Sequence, residues 1–149
     1  MAFLAAGCTS PPTVTIESVE IVGQQDGATA LLFHAHVANG PDHTLRLMQY
    51  EYTLVMGGAS VYQGRHAAEM TLTPESERRF TLPAAFPNAA AGVDPAVQTD
   101  PSKWTISGSL HFIGDSVLAE TLREMGYRPS VGFAASGQLQ WPPPVASAH

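Results

Sequence analysis

Between Thr13 and Leu139 apolar side chains recur at every second position, the spacing of half-buried strands rather than of helices. Leu31, Phe33, Ala35 and Val37 alternate in one run, and Trp104, Ile106, Gly108, Leu110 and Phe112 in another. Val131, Phe133, Ala135 and Leu139 give a third; Ala68, Met70 and Leu72, then Arg78, Phe80, Leu82, Ala84 and Phe86, give two more. Two further runs change phase midway. Val14 and Ile16 are followed by Val19 and Ile21, and Leu45 and Leu47 by Met48, Tyr50, Tyr52, Leu54 and Met56. One extra residue exchanges the buried face of a strand, so the pattern predicts a β-bulge near Glu17-Ser18 and another near Leu47-Met48, or a passage between sheets at those points. A single open sheet needs neither device, and the expectation is a β-sandwich.

The punctuation between runs fits short strands. Met56-Gly57-Gly58-Ala59 predicts a tight hairpin, because glycine takes the positive φ that primed turns require. Asn39-Gly40-Pro41-Asp42 predicts a second turn, in which Pro41 lacks a ladder donor and Asn39 tolerates left-handed geometry. Pro74 and Pro83 interrupt later strands, and Pro87 to Lys103 carries no strand signal. One helix is expected after Asp115 or Ser116 as cap, with Leu118, Leu122 and Met125 on one face and Gly126 at its end. Trp141-Pro142-Pro143-Pro144 favours polyproline II, leading into a polar tail that is expected to be mobile.

Composition narrows the function classes. The 149 residues suit one domain with a core that needs no metal or disulfide staple. Charged residues are only 13%, against about 25% in ordinary globular chains. Thirteen acids against seven bases give a net charge of −6, and there is no basic run from which a phosphate-tracking groove would be built, so nucleic acid is not an expected partner. No apolar window is long enough to span a bilayer as a helix.

The single cysteine, Cys8, follows Phe3-Leu4-Ala5-Ala6-Gly7 and precedes Thr9-Ser10-Pro11-Pro12. This resembles the end of a bacterial lipoprotein signal peptide, in which small residues such as Ala6 and Gly7 precede the cysteine that is acylated and becomes the mature N-terminus. The segment departs from that pattern in having no basic n-region and only seven residues before the cysteine. The resemblance implies a membrane anchor through lipid on Cys8, which is stable because more than one acyl chain is attached. Thr9 stands where the family's inner-membrane retention signal has aspartate, which implies an outer-membrane or cell-surface address in the cell envelope.

The order of motifs from Val14 to Leu139 resembles the late-embryogenesis-abundant group 2 family, also called the water-stress and hypersensitive-response or WHy domain. Val37-Ala38-Asn39 leads to Gly40-Pro41-Asp42, then Leu45, Leu47 and Tyr50. Gly57-Gly58 precedes Val61 and Gly64, Leu72-Thr73-Pro74 precedes Arg79-Phe80-Thr81-Leu82, and Trp104 through Leu110 and Phe133 to Gly137 look like the closing strands. Departures are Gly40 within the family's Asn-Pro-Asn, Asp42 for its second Asn, and the extra segment Asp115 to Pro129. The resemblance implies an all-β, fibronectin- or immunoglobulin-like antiparallel sandwich of about seven or eight strands with one short helix. It also implies a role in protecting proteins or membranes during drying or freezing. Residues 1–12 are then a truncated signal and tether, 13–140 the sandwich domain and 141–149 a Pro-rich tail.

Reactive chemistry is sparse. His34 and His36 lie two apart and share a strand face, with His43 across the next turn, which makes them a weak candidate for a metal pair lacking a third ligand. Glu75 and Glu77 beside Arg78 and Arg79 are expected to form a solvated, ion-paired loop rather than an acid-base pair. No nucleophile elbow, phosphate loop, zinc-helix or Cys-x-x-Cys pattern occurs. Tyr50, Tyr52, Tyr62 and Trp104 are expected to pack rather than to present a stacking platform. No catalytic residues and no cofactor are expected. The leading expectation is a non-enzymatic, lipid-anchored stress protectant. The alternative is an accessory subunit of an envelope assembly that offers an edge strand or the C-terminal tail to a protein partner.

Overall fold

The structure, a computed structural model, describes residues 11–142; the Cys8 anchor and the segment from Pro143 to His149 lie outside the described residues. Seven strands and one helix follow in the order β1 (Thr13–Gln25), β2 (Ala28–Ala38), β3 (Leu45–Met56), β4 (Ala59–Leu72), β5 (Glu77–Pro87), β6 (Ser102–Gly114), α1 (Val117–Glu124) and β7 (Ser130–Leu139). They form two antiparallel sheets, one ordered β1-β2-β5 and the other β4-β3-β6-β7. The architecture is the all-β sandwich anticipated from the alternation. Its fourth strand pairs with the third, unlike the immunoglobulin constant arrangement, where the fourth strand joins the sheet of the first two.

The core follows the period of two. Leu31, Phe33, Ala35 and Val37 of β2 face Tyr50, Tyr52, Leu54 and Met56 of β3 and Trp104, Ile106 and Leu110 of β6, all buried. Both bulges expected from the phase changes are present. The β1–β2 register shifts between Ile16 and Ser18, and β3 shifts against both its neighbours between Leu47 and Gln49, so Glu17 and Met48 are the extra residues. Two more shifts, between Ile21 and Gly23 and between Leu54 and Val55, left no signature in the apolar pattern.

Turn chemistry explains the hairpins. Gly57 and Gly58 have φ of +62° and +79°, as a primed two-residue turn needs. Asp26 and Gly27, with φ of +54° and +76°, close the β1–β2 hairpin in the same way. Asn39 departs from expectation: it does not take a positive φ but works through its side chain. Its amide donates to the carbonyls of His43 at 2.6 Å, Leu72 at 3.1 Å and Thr73 at 3.1 Å. The β2–β3 loop is thereby tied to the β4–β5 turn, where Asn39 N also donates to Ser76 O at 2.9 Å and Glu75 N to Gly40 O at 2.9 Å.

The first part of the segment after β5 packs on the sandwich, while Val97 is 68% exposed. Asn88 accepts from buried Thr29 through its side chain at 2.6 Å and donates its backbone N–H to Gly27 O at 2.8 Å. Ala91 is buried and Val93 packs against the core. Trp141, the first residue of the tail as read from sequence, also belongs to the core cluster, and its indole N–H donates to Ser102 Oγ at 2.8 Å. A large ring with one polar tip is buried where that tip finds an acceptor, which polyproline character in the following residues does not reveal.

The helix is capped by Ser116, whose Oγ accepts from Ala119 N at 3.0 Å, and stops before Gly126 at φ +96°. Its expected apolar face does not pack: Leu118 and Met125 are 57% and 78% exposed, and only Leu122 is half-buried. An ion pair of Arg46 with Glu120 at 2.9 Å and a hydrogen bond from Phe112 N to Pro129 O at 3.1 Å hold the excursion instead.

Candidate functional site

The histidine pair lies on the outer face of the β1-β2-β5 sheet. His34 and His36 point the same way, as their spacing requires, but each meets a different carboxylate of β1: His34 Nε2 lies 3.2 Å from Glu20 Oε1, and His36 Nδ1 lies 2.7 Å from Glu17 Oε1. The bulge at Glu17 turns its side chain toward His36. His43 is elsewhere, in the loop stapled by Asn39. Among the described residues no three His, Cys, Asp or Glu side chains converge as a ligand set. The face is therefore two separate imidazole–carboxylate contacts.

The residues that carried the family resemblance serve the scaffold. Asn39 staples the loop end; Pro41 and Asp42 are exposed beside it, and Pro74 sits in the turn that Asn39 holds. Tyr50 is buried with its ring stacked 4.4 Å from that of Phe80, across from one sheet to the other. Burial in that apolar setting pushes its phenol from 10.0 up to about 12. Gly57 and Gly58 make the hairpin. Gly64 lies under the Tyr62 ring, where a Cβ would come within 2.6 Å. The turn from Glu75 to Arg79 differs from expectation: among the described residues none of Glu75, Glu77, Arg78 and Arg79 forms an ion pair. All four are exposed, and Ser76 instead closes the turn by donating its hydroxyl to Thr73 O at 2.6 Å.

No local sequence pattern announces one mostly apolar cleft that two arginines border. The Asp115 to Pro129 excursion between β6 and β7 returns over the outer face of the β4-β3-β6-β7 sheet and leaves a space of about 300 Å³. Met48 at the β3 bulge forms one wall with Gln49 and Glu51; His111, Phe112 and Ile113 of β6 form the floor. Arg123, Tyr127, Arg128 and Pro129 of the excursion close it. Ile113 points away from the sandwich core yet is only 3% exposed, because this cover lies on it. The signal in the sequence was Phe112-Ile113, two adjacent large apolar residues at the end of an alternating strand, so that both faces of the sheet had to be buried there.

Polar groups are placed unevenly in this cleft. The Glu51 carboxylate accepts from Gln49 at 2.9 Å and pairs with Arg65 at 3.1 Å through Oε1, while its Oε2 is 3.7 Å from His111 Nε2. That nitrogen is buried and has no hydrogen-bond partner. The Arg128 guanidinium donates to the carbonyls of Arg123 at 2.6 Å and Tyr127 at 3.2 Å. Among the described residues neither Arg123 nor Arg128 meets a carboxylate.

No family model matches the chain and no curated protein matches its sequence. Solved structures do match. An Arabidopsis thaliana protein superposes with a TM-score of 0.64 at 13% identity, over 93% of this chain and 89% of that one. A protein solved as a structural-genomics target gives 0.61 at 11% identity over 95% of both chains. A third, provisionally assigned to the late embryogenesis abundant (LEA) class, gives 0.58 at 15% identity over 88% of this chain and 71% of its own. Identities this low speak to architecture, and the chain shares the two-layer sandwich that an LEA-class protein also adopts.

Proposed function

We propose that this protein is a non-enzymatic stress protectant of the LEA/WHy kind, anchored to the cell envelope by lipid on Cys8. The observation that supports the reading most is the sandwich shared with an LEA-class protein over most of both chains, together with the ordered motif residues from Asn39 to Pro74 that build its stapled end. The low content of charged residues gives a surface able to lie against apolar patches that partner proteins expose as water is withdrawn. Lipid anchoring would hold that surface at the outer membrane or cell surface, beside the proteins and bilayer it protects. The protein is expected to slow inactivation of a labile enzyme through freeze–thaw cycles beyond an equal mass of inert protein; no excess protection rejects the reading. Intact mass of native material tests the anchor, since acylation adds the mass of the acyl chains to a chain beginning at Cys8.

A second reading, an accessory subunit of an envelope assembly, is favoured by one feature. Val117, Leu118, Met125 and Tyr127 are all more than half exposed on the excursion between β6 and β7. Co-purification of one defined partner in fixed ratio supports this reading over a general protectant.

A further inference from the structure

We infer that the cleft under the β6–β7 excursion binds a monocarboxylate with a small apolar body, a function beyond protection of clients. Three observations converge on that chemistry. The lining is mostly apolar, with Met48, Phe112 and Ile113 from the sheet and Tyr127 and Pro129 from the excursion. At about 300 Å³ the space lies at the small end of ligand pockets. It is about twice the roughly 150 Å³ cavity that takes up benzene, so its occupant has on the order of ten non-hydrogen atoms.

Charge sets the polar end of the occupant. Only seven Lys and Arg serve the whole chain, yet Arg123 and Arg128 both border this one cleft. Neither has a carboxylate partner among the described residues. Arg128 Nη1 is held by two backbone carbonyls, which restricts the side chain and lowers the entropy lost on binding, while Nη2 and Nε remain as donors. The one carboxylate in the lining, Glu51, is answered by Arg65 and Gln49 and does not neutralise them. A guanidinium pair beside an apolar slot binds a carboxylate whose tail fills the slot. Met48, unbranched and placed on a bulge, can adjust to either an alkyl or an aryl body.

The test titrates the full chain with sodium octanoate, following ¹H–¹⁵N spectra and heat. Saturable binding is expected, with amide shifts at His111, Phe112 and Arg123. Octylamine, with the same tail and opposite charge, is expected to bind at least tenfold more weakly. The variant Arg123→Gln is expected to weaken octanoate roughly tenfold, the loss of one charge-assisted hydrogen bond, and to leave 1-octanol unchanged. Met48→Trp, which fills the slot, is expected to remove both, with near-ultraviolet dichroism reporting that the fold is kept. 3-Phenylpropanoate in parallel decides whether the cleft prefers aryl or alkyl acids, and tighter binding of either one supports the inference. Failure of both acids to saturate below about 1 mM, equal binding of octylamine, or shifts confined to another part of the sandwich overturns it. None of these readouts depends on protection in freeze–thaw assays, so this inference and the proposed function fail separately.

Discussion

The Tyr52 hydroxyl donates to the carbonyl of Pro83, so a side chain of β3 in one sheet satisfies a backbone group of β5 in the other. The two sheets share no ladder; besides this bond and the Asn39 amide at the carbonyl of Leu72, buried apolar side chains pack between them. Tyr52 reaches across because its two register partners, Gly64 and Gly108, have no side chains to occupy the space beside its ring. Tyr50, one inward position away, stacks on Phe80 but finds no partner for its hydroxyl.

The two phenols therefore respond in opposite ways to loss of oxygen. Tyr52→Phe leaves the Pro83 carbonyl without its donor and is expected to cost about 1–2 kcal/mol in urea unfolding. Tyr50→Phe removes a buried hydroxyl that has no partner and is expected to be neutral or to stabilise by up to about 1 kcal/mol. Equal destabilisation by both would show that Tyr52 contributes through its ring alone.

Alkaline pH is expected to weaken the fold through these two phenols. Burial raises the Tyr50 phenol from 10.0 to about 12, and burial followed by the neighbouring Tyr62 raises Tyr52 further still. Above pH 10 the unfolded chain loses these protons while the folded chain keeps them, so the unfolded state binds fewer protons and stability falls as pH rises. Each such group adds about 1.4 kcal/mol of lost stability per pH unit through the window from 10 to 12. A Tyr50→Phe, Tyr52→Phe double variant is expected to show a flatter decline over that window than the parent, measured by urea midpoints at fixed ionic strength.

Glycine substitution grades the crowding around Tyr52. A Cβ at Gly108 would stand 2.0 Å from the Glu51 carbonyl oxygen and 2.8 Å from Tyr52 Cα, both backbone atoms that cannot turn aside. At Gly64 the obstruction is the Tyr62 ring, which can swing outward. Gly108→Ala is expected to cost about 3 kcal/mol or more, and Gly64→Ala clearly less. Similar thermal midpoints for the two variants would contradict this.

These contacts mark how far the sequence could be read. Alternation located β2, β3 and β6, and the phase changes located the bulges at Glu17 and Met48, because a strand with one buried face must answer every inserted residue. Two other register shifts passed unseen, since Val22 lies beyond the buried part of β1, at 54% exposure, and the slip near Leu54 is taken up on edge strand β4. The helix was visible from Ser116 and Gly126, but its packing was not. Leu118 and Met125 have helical spacing, yet both stay exposed, and local spacing does not say whether a helix face meets a partner surface. Phe112-Ile113 marks a strand end covered on both faces, but the cleft itself joins a bulge at Met48 with arginines about 75 residues later, and no local pattern links them.

Asn39 offers a direct test of its side-chain role. One amide nitrogen serves three carbonyls from two different loops, and Asn39→Ala is expected to cost about 1–3 kcal/mol. Asn39→Asp is expected to be at least as damaging at neutral pH, because a carboxylate cannot donate and faces three carbonyl oxygens. Hydrogen exchange at Glu75 N, which donates to Gly40 O at 2.9 Å, should accelerate in both variants.

Trp141 carries the folded unit past its last strand. The ring is 9% exposed, packs in the same cluster as Leu139 and Trp104, and donates to Ser102 at the opposite end of the β6–β7 pairing from the excursion. Ser102 begins β6, so this one bond closes the strand pair that Ser102 and Leu139 start. Removing the indole uncovers apolar neighbours and strips Ser102 of its donor together, and Trp141→Ala is expected to cost about 3 kcal/mol. Trp141→Phe keeps most of the apolar area and is expected to lose only about 1 kcal/mol, the worth of the hydrogen bond. A chain stopped after Gln140 should match Trp141→Ala in urea midpoint; if it matched the parent, the sandwich would end at Leu139 and the ring would be an ornament on its surface.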